Sequence, residues 1–289
     1  MNPISLVVHG GAGVFRPEIH DDCLAALRRA LDSGWKILHR GGSAIDACQE
    51  AIVELEDEVL FDAARGSHLN RDGKVQMDAI LMDGSTLRAG AVGAVERVRN
   101  PIRLAHLVLE KSEHIFLTGY GAEAFAVENG VALCDPRELI TEDAFNRWSA
   151  HSQKVESFGT VGAVAIDQKQ NVAAGTSTGG TFFKYPGRIG DSPLIGCGCY
   201  ADNQSAAVSC TGHGESIMKI VMAKKVADLV ETGLDAQKAA EQAVRILEAR
   251  TAGGGGLIVV DKAGRLGAAF STPTMAWGSM TERGPYVHI

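Results

Sequence analysis

At 289 residues the chain has room for one large domain or two ordinary ones. Its 45% hydrophobic and 22% charged content excludes a disordered segment and a small domain that depends on disulfide staples. The formal net charge of −7, with no Lys/Arg-rich run, argues against a nucleic-acid partner, which would need a basic surface.

Residues 6–8 read as a short apolar strand that runs into His9-Gly10-Gly11-Ala12-Gly13. A long helix is predicted next, with Leu24, Leu27, Leu31, Trp35 and Leu38 on one face, ending at Gly41-Gly42. Ser43, followed three residues later by Asp46, opens a second helix whose stripe is Ile45, Cys48, Ile52 and Leu55. The acidic stretch 54–58 leads into a loop over 60–67. Strands are predicted at 76–82 and 87–95, separated by the turn Asp83-Gly84-Ser85. Pro101 suits the first turn of a helix reaching about His114, and 115–118 reads as another short strand. Residues 139–159 are polar, carry Trp148 with few other apolar side chains and show no sustained period, so an exposed linker is expected there. Strands follow at 160–167 and 172–178 around a turn, then a Gly/Pro-rich segment over 179–198 and a strand near 206–211. Two helices, 213–231 and 235–250, precede a final strand-turn-strand at 256–260 and 266–271. No repeat of solenoid or propeller length occurs. Paired strand-turn-strand units on both sides of the linker predict antiparallel sheets covered by helices rather than a doubly wound parallel sheet.

Several chemistries lack their residues. Neither His9–Gly13 nor the run 253–256 forms the nucleotide-binding patterns G-x-G-x-x-G or GK[ST]. For 253–256 close packing of backbones is the expected role; for His9–Gly13 close packing and the wall of a site are equally open. The nine histidines form no H-E-x-x-H, no Cys/His spacing suits zinc, and no G-x-S-x-G elbow is present. The cysteines (Cys23, Cys48, Cys134, Cys197, Cys199, Cys210) are single or one C-x-C, mostly in apolar stretches, and are expected to be reduced core thiols. With no basic segment leading an apolar one and no 18-residue apolar run, a soluble cytoplasmic protein with no membrane partner is expected.

What remains is a cluster of small hydroxyl residues and glycines. It comprises Gly159-Thr160-Val161-Gly162, Gly175-Thr176-Ser177-Thr178-Gly179-Gly180, Pro186-Gly187-Arg188-Ile189-Gly190-Asp191-Ser192-Pro193 and Ser209-Cys210-Thr211-Gly212-His213-Gly214-Glu215. Here the chain closely resembles the plant-type asparaginase/isoaspartyl aminopeptidase family of N-terminal nucleophile hydrolases. The likeness spans nearly the whole chain, including His9–Gly13 and Met77-Asp78-Ala79 to Met82-Asp83-Gly84.

The resemblance implies an α+β fold, a four-layer αββα sandwich in a single domain over 1–289. It implies that the chain cuts itself into 1–159 and 160–289, the polar stretch 139–159 preceding the cut. Physical reasoning explains the need for Thr160. A threonine hydroxyl is a weak nucleophile without a base beside it, and an N-terminal α-amine with an ordinary pKa of about 7.7–8.0 can serve as that base. Gly159, without a Cβ, can adopt the strained backbone that such a cut demands. By the same resemblance Thr178 assists Thr160, and Arg188 takes the substrate α-carboxylate, a task suited to a guanidinium fork. Asp191 takes the α-ammonium, and Thr211 with the Gly212 N–H forms the oxyanion hole. Ile189, Gly190, His213 and Gly214 complete the substrate pocket, and Asp62 with Gly10 supports the nucleophile. No cofactor is implied for catalysis. The loop after the second helix resembles a structural sodium site built from the carbonyls of Leu55, Glu56, Glu58, Phe61, Ala63 and Arg65. The implied partners are a small-molecule substrate and a second αβ unit.

The implied reaction releases L-aspartate from β-aspartyl dipeptides and L-asparagine. A glycosylasparaginase-like amidase is the nearest alternative, but that branch carries an aspartate before the threonine, where this chain has Gly159. An uncleaved relative that merely binds aspartate-like ligands is the other. Two departures bear on this choice. The family's Phe-Asn-Ala-Gly reads Phe61-Asp62-Ala63-Ala64 here, and His213 stands where a small hydroxyl residue is common. A carboxylate at Asp62 would favour the protonated form of the freed amine, so an alkaline shift of the pH optimum or slow turnover is expected.

Overall fold

A computed structural model describes residues 3–150 and 159–289. In chain order the elements are β1 (Ser5–Gly13), α1 (His20–His39), α2 (Ala44–Glu56), β2 (Met77–Asp83), β3 (Ala89–Val95), α3 (Pro101–Lys111), β4 (Phe116–Thr118), α4 (Gly119–Glu128) and α5 (Glu142–Ser149). After them come β5 (Val161–Ile166), β6 (Val172–Thr178), β7 (Cys199–Ala201), β8 (Ala206–Gly212), α6 (Gly214–Ile220), α7 (Met222–Glu231), α8 (Ala236–Thr251), β9 (Gly255–Asp261), β10 (Leu266–Phe270), β11 (Thr274–Thr281) and β12 (Gly284–His288). They form a mixed α/β structure with two sheets. The larger has the order β12-β11-β1-β5-β6-β2-β3-β4 and the smaller β10-β9-β8-β7. Every pairing is antiparallel except β3 with β4, as the strand-turn-strand pattern predicts.

Alternation along the strands sends apolar side chains to both faces of each sheet. Leu6 and Val8 of β1, with Val161, Ala163 and Ala165 of β5, join a core with Leu27 and Leu31 of α1, Ile52 of α2 and Ile102 of α3. The intervening residues Val7, Val164 and Ile166 join Ala207, Ile258 and Val260 of the smaller sheet in a second core. Alternate residues Val208, Leu257 and Val259 of that sheet pack with Met222 and Val226 of α7 and Ala240 and Leu247 of α8. Each fully buried Leu or Ile contributes about 1.5–3 kcal/mol by leaving water. The caps agree with the sequence: Ser43 Oγ accepts the Asp46 N–H (3.2 Å), and Asp235 caps α8 through the Lys238 N–H (2.9 Å).

The structure corrects four expectations. The first strand does not stop at residue 8; it pairs with β5 as far as His9, and pairing with β11 on its other side carries it through the glycines to Gly13, with a bulge between His9 and Gly11. The polar stretch 139–159 opens in helix α5, capped by Thr141 Oγ1 accepting from the Ala144 N–H (3.1 Å); eight residues are too few for a visible period. The rest of that stretch, 151–158, lies outside the described residues. The helix expected over 213–231 is two helices broken at Val221, which takes φ 51°. There the Ala223 and Lys224 N–H groups donate to the Cys197 and Gly196 carbonyls, tertiary bonds that a sequence pattern does not reveal. Finally, α4, β7, β11 and β12 had no predicted counterpart.

The run 253–256 does pack backbone on backbone: a Cβ at Gly255 would lie 2.8 Å from the Thr211 carbonyl oxygen. Among the described residues no helix is long and apolar enough to cross a membrane, and no His/Cys/Asp/Glu group could hold a metal ion.

Candidate active site

Strand register assembles the site. Val161 of β5 pairs with Ser177 of β6, so Thr160 and Thr178 face one another at the end of that ladder. The Thr160 hydroxyl donates to Thr178 Oγ1 at 3.0 Å, and Thr178 Oγ1 also accepts the Gly180 N–H at 2.9 Å. The last residues of β8 bring Thr211 to the same place. A Cβ at Gly159 would meet Thr211 Oγ1 at 2.9 Å, and that buried hydroxyl has no hydrogen-bond partner among the described residues. Thr211 therefore stands beside the bond that the resemblance marks for cutting. Gly11, at φ 115°, lies against Gly159; a Cβ there would come within 2.5 Å of the Gly159 Cα. Gly10 instead packs on Phe61, where its Cβ would be 2.8 Å from ring atoms, so its contact is with the 61–66 loop.

A cavity of about 190 Å³ opens over these residues. Gly159, Thr160, Thr178, Arg188, Asp191, Gly212, Gly214 and Asp62 of the predicted set all line it. Thr211, Gly10, Ile189, Gly190 and His213 are not among its lining residues. Ile189 turns toward Gly93, Gly190 lies against the Arg188 guanidinium, and His213 Nδ1 pairs with Ser216 Oγ at 2.8 Å.

The charged groups are unevenly compensated. Asp191 is buried and its Oδ2 has no hydrogen-bond partner among the described residues; burial pushes its carboxyl up to about 7. Such a group is costly unless a cation arrives. Arg188 is held by Glu215 through Nε–Oε1 (3.0 Å), Nη2–Oε1 (2.9 Å) and Nη2–Oε2 (2.9 Å). Against the opposing effect of burial, Arg188 keeps the Glu215 carboxyl below its usual range. One edge of the guanidinium is thus fixed while Nη1 stays clear of Glu215. A side chain at Gly214 would lie 2.7 Å from Asp191 Oδ1 and 2.9 Å from Arg188 Nη2, so only glycine lets the two side chains close in there.

Sequence reasoning missed four contributors. His68 and Phe182 line the cavity without any motif to mark them. Glu215 lay inside the quoted motif, but its grip on Arg188 is a tertiary contact. His9 belongs to a buried polar chain behind Thr160: its Nε2 lies 2.9 Å from Ser209 Oγ, which lies 2.8 Å from Thr176 Oγ1. Burial pushes its imidazole down to about 3, so it is neutral at physiological pH. Gly162 leaves room for it, because a Cβ there would strike His9 and Ser209.

Asp62 accepts the His68 N–H at Oδ1 (2.8 Å), while its own carbonyl accepts the Gly179 N–H (2.9 Å). Burial pushes its carboxyl up, opposed by His68 beside it.

A family model described as Asparaginase matches residues 1–288. The isoaspartyl peptidase/L-asparaginase of Xenopus laevis is 44% identical over 289 residues, covering 98% of this chain and 93% of the relative. That of Homo sapiens is 45% identical over 287 residues (96% and 93%), and the plant-type L-asparaginase of Pyrococcus furiosus is 42% identical over 300 residues (96% and 97%).

The chain belongs to the asparaginase family.

Within that family its Phe61-Asp62-Ala63-Ala64 loop has a structural consequence. Ala64 sits at φ 45°, a left-handed conformation that a glycine takes without strain. The turn persists because the Gly66 N–H donates to the Ala63 carbonyl (3.0 Å) and Phe61 is fully buried.

Proposed function

We propose that the chain is a self-processed threonine amidohydrolase that releases L-aspartate from β-aspartyl dipeptides and from the side-chain amide of L-asparagine. One observation carries this reading. The Thr160 hydroxyl, paired with Thr178, shares a cavity with Arg188 and with a buried Asp191 whose Oδ2 has no hydrogen-bond partner among the described residues. A cation donor and an unpaired carboxylate at one end of a small cavity suit the α-carboxylate and α-ammonium of an amino acid. The names of the relatives, isoaspartyl peptidase/L-asparaginase, support the same substrate class.

Maturation begins when Thr160 Oγ attacks the Gly159 carbonyl carbon. The Gly159–Thr160 C–N bond breaks, the nitrogen takes the proton and an ester on Thr160 is left. That step has already freed the Thr160 α-amine, and water then cleaves the ester to a Gly159 carboxylate and the Thr160 hydroxyl. Thr211 Oγ1 would donate to the oxygen that gains charge, a role its closeness to Gly159 supports. In turnover the α-amine accepts the Thr160 hydroxyl proton, and Oγ attacks the substrate side-chain carbonyl. Thr211 and the Gly212 N–H hold the oxyanion, and the departing amine takes the proton. Water then hydrolyses the acyl-enzyme to aspartate.

The three cores support reading the architecture as a four-layer αββα sandwich in a single domain, with the helices outside and the two sheets facing each other. The sodium cradle remains part of the proposal. Phe61 and Ala63 carbonyls accept the Ala63 and Gly66 N–H groups, each at 3.0 Å, and each keeps a second lone pair for a hard cation. Such an ion would brace the loop that carries Asp62. Pairing of two αβ units is proposed on the resemblance alone.

Thr160→Ala tests the reading: it should stay a single chain and release no aspartate from β-Asp-Leu or asparagine. Wild-type rates in that variant would refute it. A wild type that stays uncut and inert yet binds aspartate would instead favour a binding protein.

A further inference from the structure

On the hydrolytic reading above, the head group of a β-aspartyl substrate is clamped at Arg188 and Asp191 with its side-chain carbonyl at Thr160. The leaving amine then projects from the other side of that carbonyl. The Arg188 side chain keeps company with Gly180, Gly190, Gly214 and Glu215. His68 is anchored through its N–H to Asp62, and its ring meets Phe182 edge-on, with centroids 6.0 Å apart at 89°. Both rings line the cavity that holds Thr160. His68 is only 4% exposed, and burial lowers its pKa, which favours the neutral imidazole.

This aromatic wall is built rigidly. Phe183 stands behind Phe182, with centroids 5.9 Å apart. Its N–H donates to the Leu69 carbonyl (2.9 Å), and the Arg71 N–H donates to the Lys184 carbonyl (3.0 Å). Two backbone bonds thus tie the segment carrying Phe182 to the segment carrying His68. Among the described lining residues the only arginine or lysine is Arg188, which Glu215 already engages.

We propose that His68 and Phe182 form the leaving-group subsite and select β-aspartyl peptides whose second residue carries an aromatic or large apolar side chain. A ring seated edge-on in an aromatic corner and withdrawn from water gains about tenfold over a leaving residue without a side chain.

The test uses the self-processed full chain and compares kcat/KM for β-Asp-Phe, β-Asp-Gly and asparagine. Wild type should prefer β-Asp-Phe to β-Asp-Gly by about tenfold. His68→Val and Phe182→Ala should each lower the ratio of β-Asp-Phe to asparagine about fivefold or more, mainly through KM for the dipeptide. Phe182 is partly exposed, so its truncation spares the core. An equal preference in wild type, or a ratio unmoved in both variants, would overturn the inference alone. Failure of the wild type to hydrolyse any of the three would overturn the underlying reading along with it.

Discussion

Replacing Gly11 with alanine should disable self-processing while leaving the fold intact. The new Cβ would lie 2.5 Å from the Gly159 Cα and 2.8 Å from its carbonyl carbon, whereas ordinary contact begins at 3.4 Å. Backbone cannot yield as a long side chain can, so Gly159 must move by about 1 Å, enough to cost roughly 100-fold when it misplaces a reacting carbonyl. That factor equals about 2.7 kcal/mol on the barrier. Gly11 also sits at φ 115°, which alanine resists, so a matched control is required. Gly130→Ala supplies it: φ is 82° there, and a Cβ would find nothing within 4 Å. Intact-mass time courses at pH 7.5 would measure the fraction cut in wild type and both variants, with melting temperatures recorded alongside. Gly11→Ala should be cut about 100-fold more slowly and Gly130→Ala at the wild-type rate. Wild-type cutting in a folded Gly11→Ala would refute the claim that contact between the first strand and Gly159 sets the scissile geometry.

Asp62→Asn should move the rising limb of the pH–rate profile about one unit toward acid, because removing a carboxylate beside the Thr160 amine stops favouring its protonated form; a limb that stays put from pH 5.5 to 9.5 would contradict this. Asp191 must be ionised to hold an ammonium, and its carboxyl is raised to about 7, so inhibition by L-aspartate should weaken as pH falls below 7, by up to about tenfold per unit. Asp191→Asn should bind aspartate weakly at every pH and lose that slope. Glu56 is buried, accepting the Ser177 hydroxyl (2.6 Å) and the Ile102 N–H (3.0 Å), and burial raises its carboxyl to about 8. Since the folded state holds this proton more tightly than the unfolded one, the stability it confers is complete at low pH and lost as pH rises through 8. Between pH 6 and pH 9 the wild type should therefore lose about 2–3 kcal/mol relative to Glu56→Gln, read by denaturant unfolding at both pH values; parallel pH profiles would exclude the assignment.

The parts of this molecule that were legible in its sequence are those set by local pattern. The capped helices α2 and α8, the paired strands β5 and β6, and the register that sets Thr160 against Thr178 follow from short-range signals and from one long motif. The errors arose where tertiary contacts overrode local preference. Val221 breaks a helix because loop carbonyls take the next N–H groups, and β11 and β12 exist because the first strand offers an edge to pair with. His68 is one isolated histidine in a loop; only the fold brings it beside Phe182 and into the cavity. Glu215 was visible, yet nothing in its spacing from Arg188 announces a bidentate pair. The Asp62 and Ala64 departures were plain in the sequence, whereas the left-handed backbone at Ala64 and the bond from His68 to Asp62 are set by the folded loop.

The central claim is that Thr160 becomes an N-terminal nucleophile by cutting its own chain. Intact-mass spectrometry of the purified protein, followed over days at pH 7.5, addresses it directly. The account predicts two fragments, 1–159 and 160–289, appearing together with the capacity to release aspartate from β-Asp-Leu. A single mass that persists at 30.5 kDa while aspartate is released at an undiminished rate would contradict it.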